Sequence, residues 1–98
     1  MTQYLFEIEL PPFTEEMTET IPAHREYIDK LLAEGVMLSY SVSIQRNMIW
    51  CVIAADEEAQ AMELVAAFPM HRFFSDVSCH PLLLHNSSPA SLPDISLN

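Results

Sequence analysis

The chain has 98 residues, half of them apolar, and four basic side chains stand against 14 acidic ones for a net charge of -10. Such a length forms one domain with a modest core. The acidic surface would repel phosphate backbones and anionic lipid, so neither nucleic acid nor a membrane is expected as a partner. A small anionic ligand would need a local positive spot, for which Arg25, Arg46 and Arg72 are the candidates. The sequence contains no secretory signal pattern and no apolar run of about 18 residues, which predicts a cytoplasmic protein.

The first third of the chain predicts a strand followed by a helix. Apolar residues alternate with others between residues 4 and 10, which is the period of a strand, and two prolines then end it. A helix is predicted from Pro22, which suits the first turn of a helix, to the stop signal at Gly35, and the acidic segment 13–20 could add an opening helical turn before it. Its apolar stripe holds His24, followed by Ile28 and Leu31. A titratable ring on this stripe should face whatever the helix covers.

The middle of the chain predicts a hairpin and a second helix. Residues 37–45 and 48–54 have the composition of strands, and the two residues between them can form a short turn. Asp56 is the predicted N-cap of the second helix. The buried stripe of that helix is predicted to hold Ala59, Met62, Val65 and Ala66.

A last strand is predicted over residues 76–84, which makes the element order β, α, β, β, α, β. This order is typical of the α+β ferredoxin-like sandwich, an antiparallel sheet with two helices on one face. Residues 1–85 would form this single domain, and residues 86–98 a Ser- and Pro-rich tail. The other face of the sheet needs a cover, so two copies are expected to pack sheet to sheet as a homodimer.

Neither a cofactor nor a metal is expected. With one glycine in the chain, no phosphate-binding loop or dinucleotide fingerprint can be built. The four histidines lack the spacing of a ligand set, and Cys51 and Cys79 are interpreted as buried apolar side chains. The remaining possibilities are cofactor-independent acid–base chemistry or no chemistry.

Two segments resemble families of the dimeric α+β barrel superfamily. Residues 21–35, with Pro-Ala-His before an aliphatic stripe and a glycine, resemble the first helix of the YciI-like proteins. Residues 68–74, with the later pair His80-Pro81, resemble the end of the muconolactone delta-isomerases. The resemblance implies a ferredoxin-like protomer, two sheets that form a barrel in the dimer, and a small-molecule cavity beside each sheet.

The resemblance also implies a role for His24. In YciI-like proteins the helix histidine pairs with an aspartate near the end of the second helix, whereas this chain has Ala67 to Met70 there. In muconolactone isomerases a glutamate stands at the position of His24, and the family's reaction is a proton shift within a lactone. His24 is therefore the predicted catalytic residue, with a hydrogen-bond partner that the sequence does not identify.

Four further residues complete the predicted site. His71 and Arg72, in the loop after the second helix, could hold a carboxylate through charge-assisted hydrogen bonds. Tyr40 and Trp50 have an apolar body with a polar tip and are predicted to line the pocket. With His24 as the proton-transfer group, these residues predict an isomerase or lyase for a small acidic ring compound. The alternative is a non-catalytic dimeric module of the same fold that binds a small ligand or serves as a structural partner.

Overall fold

Four strands and two helices follow one another in the order β, α, β, β, α, β in the computed structural model, which describes residues 1–86. The elements are β1 (Thr2–Glu9), α1 (Glu15–Ala33), β2 (Met37–Val42), β3 (Met48–Ala55), α2 (Glu58–Ala66), a 3-10 turn (His71–Phe73) and β4 (Asp76–Leu82). The predicted tail, apart from Asn86, lies outside the described residues. Within them, no helix combines the length and apolar character needed to span a bilayer.

The strands of the described region form one antiparallel sheet in the order β2-β3-β1-β4. Strand β1 is central, with Tyr4 opposite Ile53 on one side and Pro81 on the other. The pairing of β2 with β3 shifts register between Met37 and Ser39. This topology confirms the predicted ferredoxin-like α+β fold, and it places the proline of β4 on an edge strand, where a missing N–H is tolerated.

The core lies between the sheet and the helices. The sheet contributes Tyr4, Phe6 and Ile8 of β1 and Ile49, Cys51 and Ile53 of β3. The helices contribute Met17, Ile28 and Leu31 of α1 and Ala61 and Val65 of α2. Because strand side chains alternate between faces, a one-residue slip of β1 would bring Glu7 into this core, so burial fixes the register.

Helix α1 begins well before the start predicted at Pro22, which instead lies inside the helix. Thr14 is the N-cap, and its hydroxyl oxygen accepts a hydrogen bond from the Met17 N–H at 3.2 Å. Glu15 and Glu16 follow in the first turn, where carboxylates interact favourably with the positive end of the helix dipole. The prediction was wrong because these capping signals outweigh the preference of proline for a first turn.

The predictions for helix α2 were also wrong in two details. The N-cap is Glu57 rather than Asp56, and the Asp56 N–H donates to the Gln60 Oε1 at 2.8 Å. The buried side chains are Ala61 and Val65. Three residues of the predicted stripe are exposed: Ala59, Met62 and Ala66. A short helix rich in alanine has no strong apolar phase, because alanine is compatible with either face.

Pro22→Ala is expected to raise the free energy of unfolding by about 1–3 kcal/mol. Proline inside a helix cannot donate to the carbonyl four residues earlier and crowds it. Pro22 is exposed, so the change should leave the core intact. Urea unfolding followed by circular dichroism measures the effect, and Ala23→Gly in the same helix should lower the stability by about 1 kcal/mol. A less stable Pro22→Ala protein would contradict this account.

Candidate active site

His24 is the buried polar side chain of the described core, with 4% of its surface exposed. It shares the inner face of α1 with Met17, Ile28 and Leu31, as the spacing of the stripe predicts. A polar ring at such a position loses its hydration and needs hydrogen-bond partners in return.

Tyr40 supplies one partner. The His24 Nε2 and the Tyr40 hydroxyl oxygen lie 2.8 Å apart, which joins α1 to β2. Tyr40 pairs with Cys51 in the sheet, so its side chain lies on the face that carries the core. The sequence predicted Tyr40 as part of a pocket wall but did not predict this hydrogen bond, because a contact between residues 16 positions apart depends on the packing of the helix on the sheet.

The second ring nitrogen of His24 is left without a partner. Nδ1 is buried, and no group in residues 1–86 bonds to it. If the Tyr40 hydroxyl donates to Nε2, then Nδ1 carries a free N–H. If Nε2 donates to the hydroxyl oxygen, Nδ1 is a free acceptor and the Tyr40 O–H is a free donor. In either tautomer the pair keeps an unused hydrogen-bonding group.

Aromatic rings surround the pair. Phe68 meets the His24 ring edge to face, with 5.5 Å between the ring centroids. Phe68 also contacts Tyr27 and Phe74 in the same way. It lies within the segment in which YciI-like proteins carry their aspartate, so His24 has an apolar neighbour from the segment that holds a carboxylate in that family.

These surroundings keep both members of the pair neutral. Burial lowers the pKa of His24 from 6.5 to about 4. Burial, with a smaller contribution from the Cys51 thiol, raises the pKa of Tyr40 well above its usual value. At neutral pH the site therefore contains an uncharged imidazole and an uncharged phenol.

A cavity of about 420 Å³ opens beside the pair. Its lining is formed by Leu10, Phe13, Ile21, His24, Arg25, Ile28, Asp29, Leu32, Tyr40, Val42, Arg46, Ile49 and Met70. Most of these side chains are apolar, and the size suits a small organic molecule. His24 and Tyr40 are the neutral polar groups of the wall, and Arg25, Asp29 and Arg46 are its charged groups.

Three of the predicted substrate-binding residues lie elsewhere. Trp50 pairs with Glu7 in the sheet, which puts it on the face opposite the core. Arg72 forms an exposed ion pair with Glu16 at 3.1 Å, and His71 is exposed beside Phe74. None of the three lines the cavity. Of the five predicted site residues, the structure brings together His24 and Tyr40.

The described residues give little support to metal or thiol chemistry at this site. No group of three His, Cys, Asp or Glu side chains in residues 1–86 could hold a metal ion. Cys51 is a buried free thiol, and burial raises its pKa to about 12. Cys79 is half-buried, and burial also raises its pKa. A thiol with a raised pKa is a poor nucleophile at neutral pH.

Fold and cavity together define a ferredoxin-like α+β domain with a small-molecule cavity between helix α1 and the sheet. No protein-family model matches the sequence, and no curated protein matches it. A similar solved structure is 5-chloro-2-hydroxyhydroquinone dehydrochlorinase (TftG) from Burkholderia phenoliruptrix AC1100, in complex with 2,5-dihydroxybenzoquinone. The TM-score is 0.68 over 80% of this chain and 90% of that one, at 11% identity. At this identity the likeness shows the shared fold.

The stability of the protein should fall as the pH falls from about 6.5 to about 4. The unfolded His24 ring titrates near 6.5 and the folded ring at about 4, so the unfolded chain binds the additional proton in this window. The loss from this group should reach about 3 kcal/mol below pH 4. Urea unfolding across the pH range measures it, with His24→Asn as the variant that cannot titrate. Parallel pH curves for the two proteins would contradict the assignment.

Proposed function

We propose that this protein is a cytoplasmic, cofactor-independent isomerase or lyase that moves a proton within a small acidic ring compound. His24 is the proton-transfer group, and Tyr40 is its hydrogen-bonding partner. The observation that carries the proposal is the 2.8 Å hydrogen bond between His24 Nε2 and the Tyr40 hydroxyl in the wall of an apolar cavity. The free cysteines suit a reducing compartment.

A purely structural histidine would be expected to satisfy both ring nitrogens. Leaving a buried polar atom unbonded costs about 1–3 kcal/mol, and such atoms call for a functional explanation. In the tautomer in which Nε2 donates to the Tyr40 oxygen, the Tyr40 O–H is free to donate a hydrogen bond to a ligand oxygen in the cavity. The His24–Tyr40 pair can also exchange donor and acceptor roles, which is what a group that removes and returns a proton requires.

The proposed reaction consumes no co-reactant. The Tyr40 hydroxyl turns from His24 Nε2 to donate a hydrogen bond to the carbonyl oxygen of the substrate. Nε2, now the free basic nitrogen, takes a proton from the carbon next to that carbonyl group, and the electron pair of the C–H bond moves onto the oxygen, which becomes negative. In an isomerase, the proton returns to a different carbon of the same conjugated system. In a lyase, the electron pair left behind expels a leaving group such as chloride.

His24→Ala should lower turnover by about 100-fold or more, since general acid–base catalysis contributes roughly 10²- to 10⁴-fold. Tyr40→Phe should lower it by about 5- to 10-fold, the value of one hydrogen bond. Muconolactone in D₂O, followed by proton NMR, tests the isomerase reaction. Chloride release from 5-chloro-2-hydroxyhydroquinone tests the lyase reaction.

His85→Ala is the matched control, because His85 is a histidine outside the cavity lining and should leave turnover unchanged. Full activity in His24→Ala would contradict the proposed role. Binding of either compound without turnover by the wild-type protein would instead favour the non-catalytic ligand-binding module.

We also propose that two copies associate through the open face of the sheet. Trp50 lies on this face and is 37% exposed, beside Leu5 and Val52. Val52 is not part of the core beneath the helices. It is nevertheless only 3% exposed, because its neighbours on the open face cover it. The Glu7–His80 ion pair, at 2.9 Å, lies on the same face, so an exposed aromatic side chain stands there beside polar ones, a mixture typical of protein interfaces.

Trp50→Glu should convert a dimer to a monomer, because it removes the exposed aromatic contact and places a second carboxylate directly opposite Glu7. Sedimentation velocity should give the mass of two chains for the wild type and of one chain for the variant. Met62→Glu is the control, since Met62 is similarly exposed, at 41%, but lies on α2. A wild-type monomer at micromolar concentration would contradict the proposal.

A further inference from the structure

We infer that Arg25 and Arg46 bind the anionic group of the ligand in the cavity and thereby select acids over neutral ring compounds. This inference rests on the proposed function for the location of the ligand. It differs from the sequence prediction, which assigned the carboxylate to His71 and Arg72.

The distribution of charge favours these two arginines. The whole chain has a net charge of -10 and four basic residues. Two of the four, Arg25 and Arg46, line the one cavity that contains His24, where Asp29 is the single acidic side chain. The cavity wall is therefore locally positive on an otherwise strongly acidic protein, and this would attract an anionic ligand.

The two guanidinium groups are also available. Arg72 is engaged by Glu16 at 3.1 Å and lies over the Phe73 ring, 4.4 Å from its centroid. Within residues 1–86, neither Arg25 nor Arg46 forms an ion pair with a carboxylate. Asp29 follows Arg25 by one helical turn without pairing with it. An arginine with free donors can bind a carboxylate through two parallel hydrogen bonds.

The backbone of Arg46 is a second and independent observation. Its φ is 60°, in the left-handed region that glycine adopts most easily. Ser43 fixes the turn. Its backbone oxygen accepts a hydrogen bond from the Arg46 N–H at 2.9 Å. Its hydroxyl oxygen accepts from the N–H groups of Asn47 and Met48 at 3.1 and 3.0 Å. The turn thereby fixes the position from which the Arg46 side chain extends.

The side chain of Arg46 extends over Phe13, with 6.0 Å between its guanidinium carbon and the ring centroid. Phe13 is itself part of the cavity wall. The charged group therefore lies at the exposed rim of the cavity, where it can meet an anion that enters. The expected ligand has an apolar ring, an anionic group for the arginines, and an oxygen for His24 and Tyr40.

The test compares 3-hydroxybenzoate with 3-hydroxybenzamide, two ligands of similar shape that differ in charge. Isothermal titration calorimetry should show the acid binding to the wild type about 10- to 100-fold more tightly than the amide. Arg25→Gln and Arg46→Gln should each weaken the acid about tenfold and change the amide by less than about twofold. Equal affinities for acid and amide, or no binding of the acid at millimolar concentration, would overturn the inference.

Two further variants test whether a loss of acid affinity comes from direct binding, from a change in overall charge, or from a loss of stability. Lys30→Gln makes the same charge change on α1 outside the cavity lining, and it should leave the acid affinity within about twofold. Arg46→Gly should unfold at the same or a higher temperature than the wild type, because glycine suits the turn, while still losing acid affinity. An equal loss in Lys30→Gln, or a loss confined to Arg72→Gln, would overturn the inference.

The arginine inference and the proposed catalytic function can fail separately. Acid preference that depends on Arg25 and Arg46 in a protein without turnover would uphold this inference and remove the catalytic proposal. Turnover that depends on His24 without any acid preference would do the opposite.

Discussion

The hydrogen bond between His24 and Tyr40 is the interaction on which the site depends. At 2.8 Å it joins the inner face of helix α1 to strand β2 beside the cavity. The other buried side chains of the helix stripe are apolar, and His24 lies among them with one nitrogen unbonded. The local packing thus holds a reactive pair in a fixed geometry, at a cost in stability that a purely structural residue would avoid.

Phe68 determines the chemical character of the pair. A carboxylate beside His24, as in the YciI-like proteins, would stabilise the imidazolium form and raise the pKa of the ring. A phenyl edge does the reverse, because it excludes water and offers no charge. The pKa of about 4 follows from burial of the ring, to which the edge-to-face contact with Phe68 contributes. The neutral hydroxyl of Tyr40 is compatible with these apolar surroundings, whereas an ionised partner would be costly to bury there.

The sequence predicts the fold well because alternation and stop signals are local. The strand period of β1, the stripe of α1 and Gly35 each depend on neighbouring residues, and all three lie where the pattern indicates. The site is less predictable because it depends on which faces meet. Trp50 is a residue type that often lines pockets, but its pairing with Glu7 turns it to the open face of the sheet. Arg72 forms an ion pair with Glu16, which is 56 positions away in the sequence. Arg25 and Arg46 were recognisable as candidate cations, but their convergence required the packed structure.

Under the proposed mechanism, His24 can accept a proton from the substrate even though its pKa is low in the protein without ligand. The free ring is a weak base because an imidazolium would be buried without a counter-ion. When a proton leaves the substrate, the imidazolium forms beside an anion of the substrate, and in apolar surroundings this pair attracts more strongly than it would in water. The burial that weakens the base in the empty cavity thus strengthens the ion pair in the transition state. Such an arrangement favours substrates whose negative charge develops next to His24, while the charge already present is held by Arg25 and Arg46.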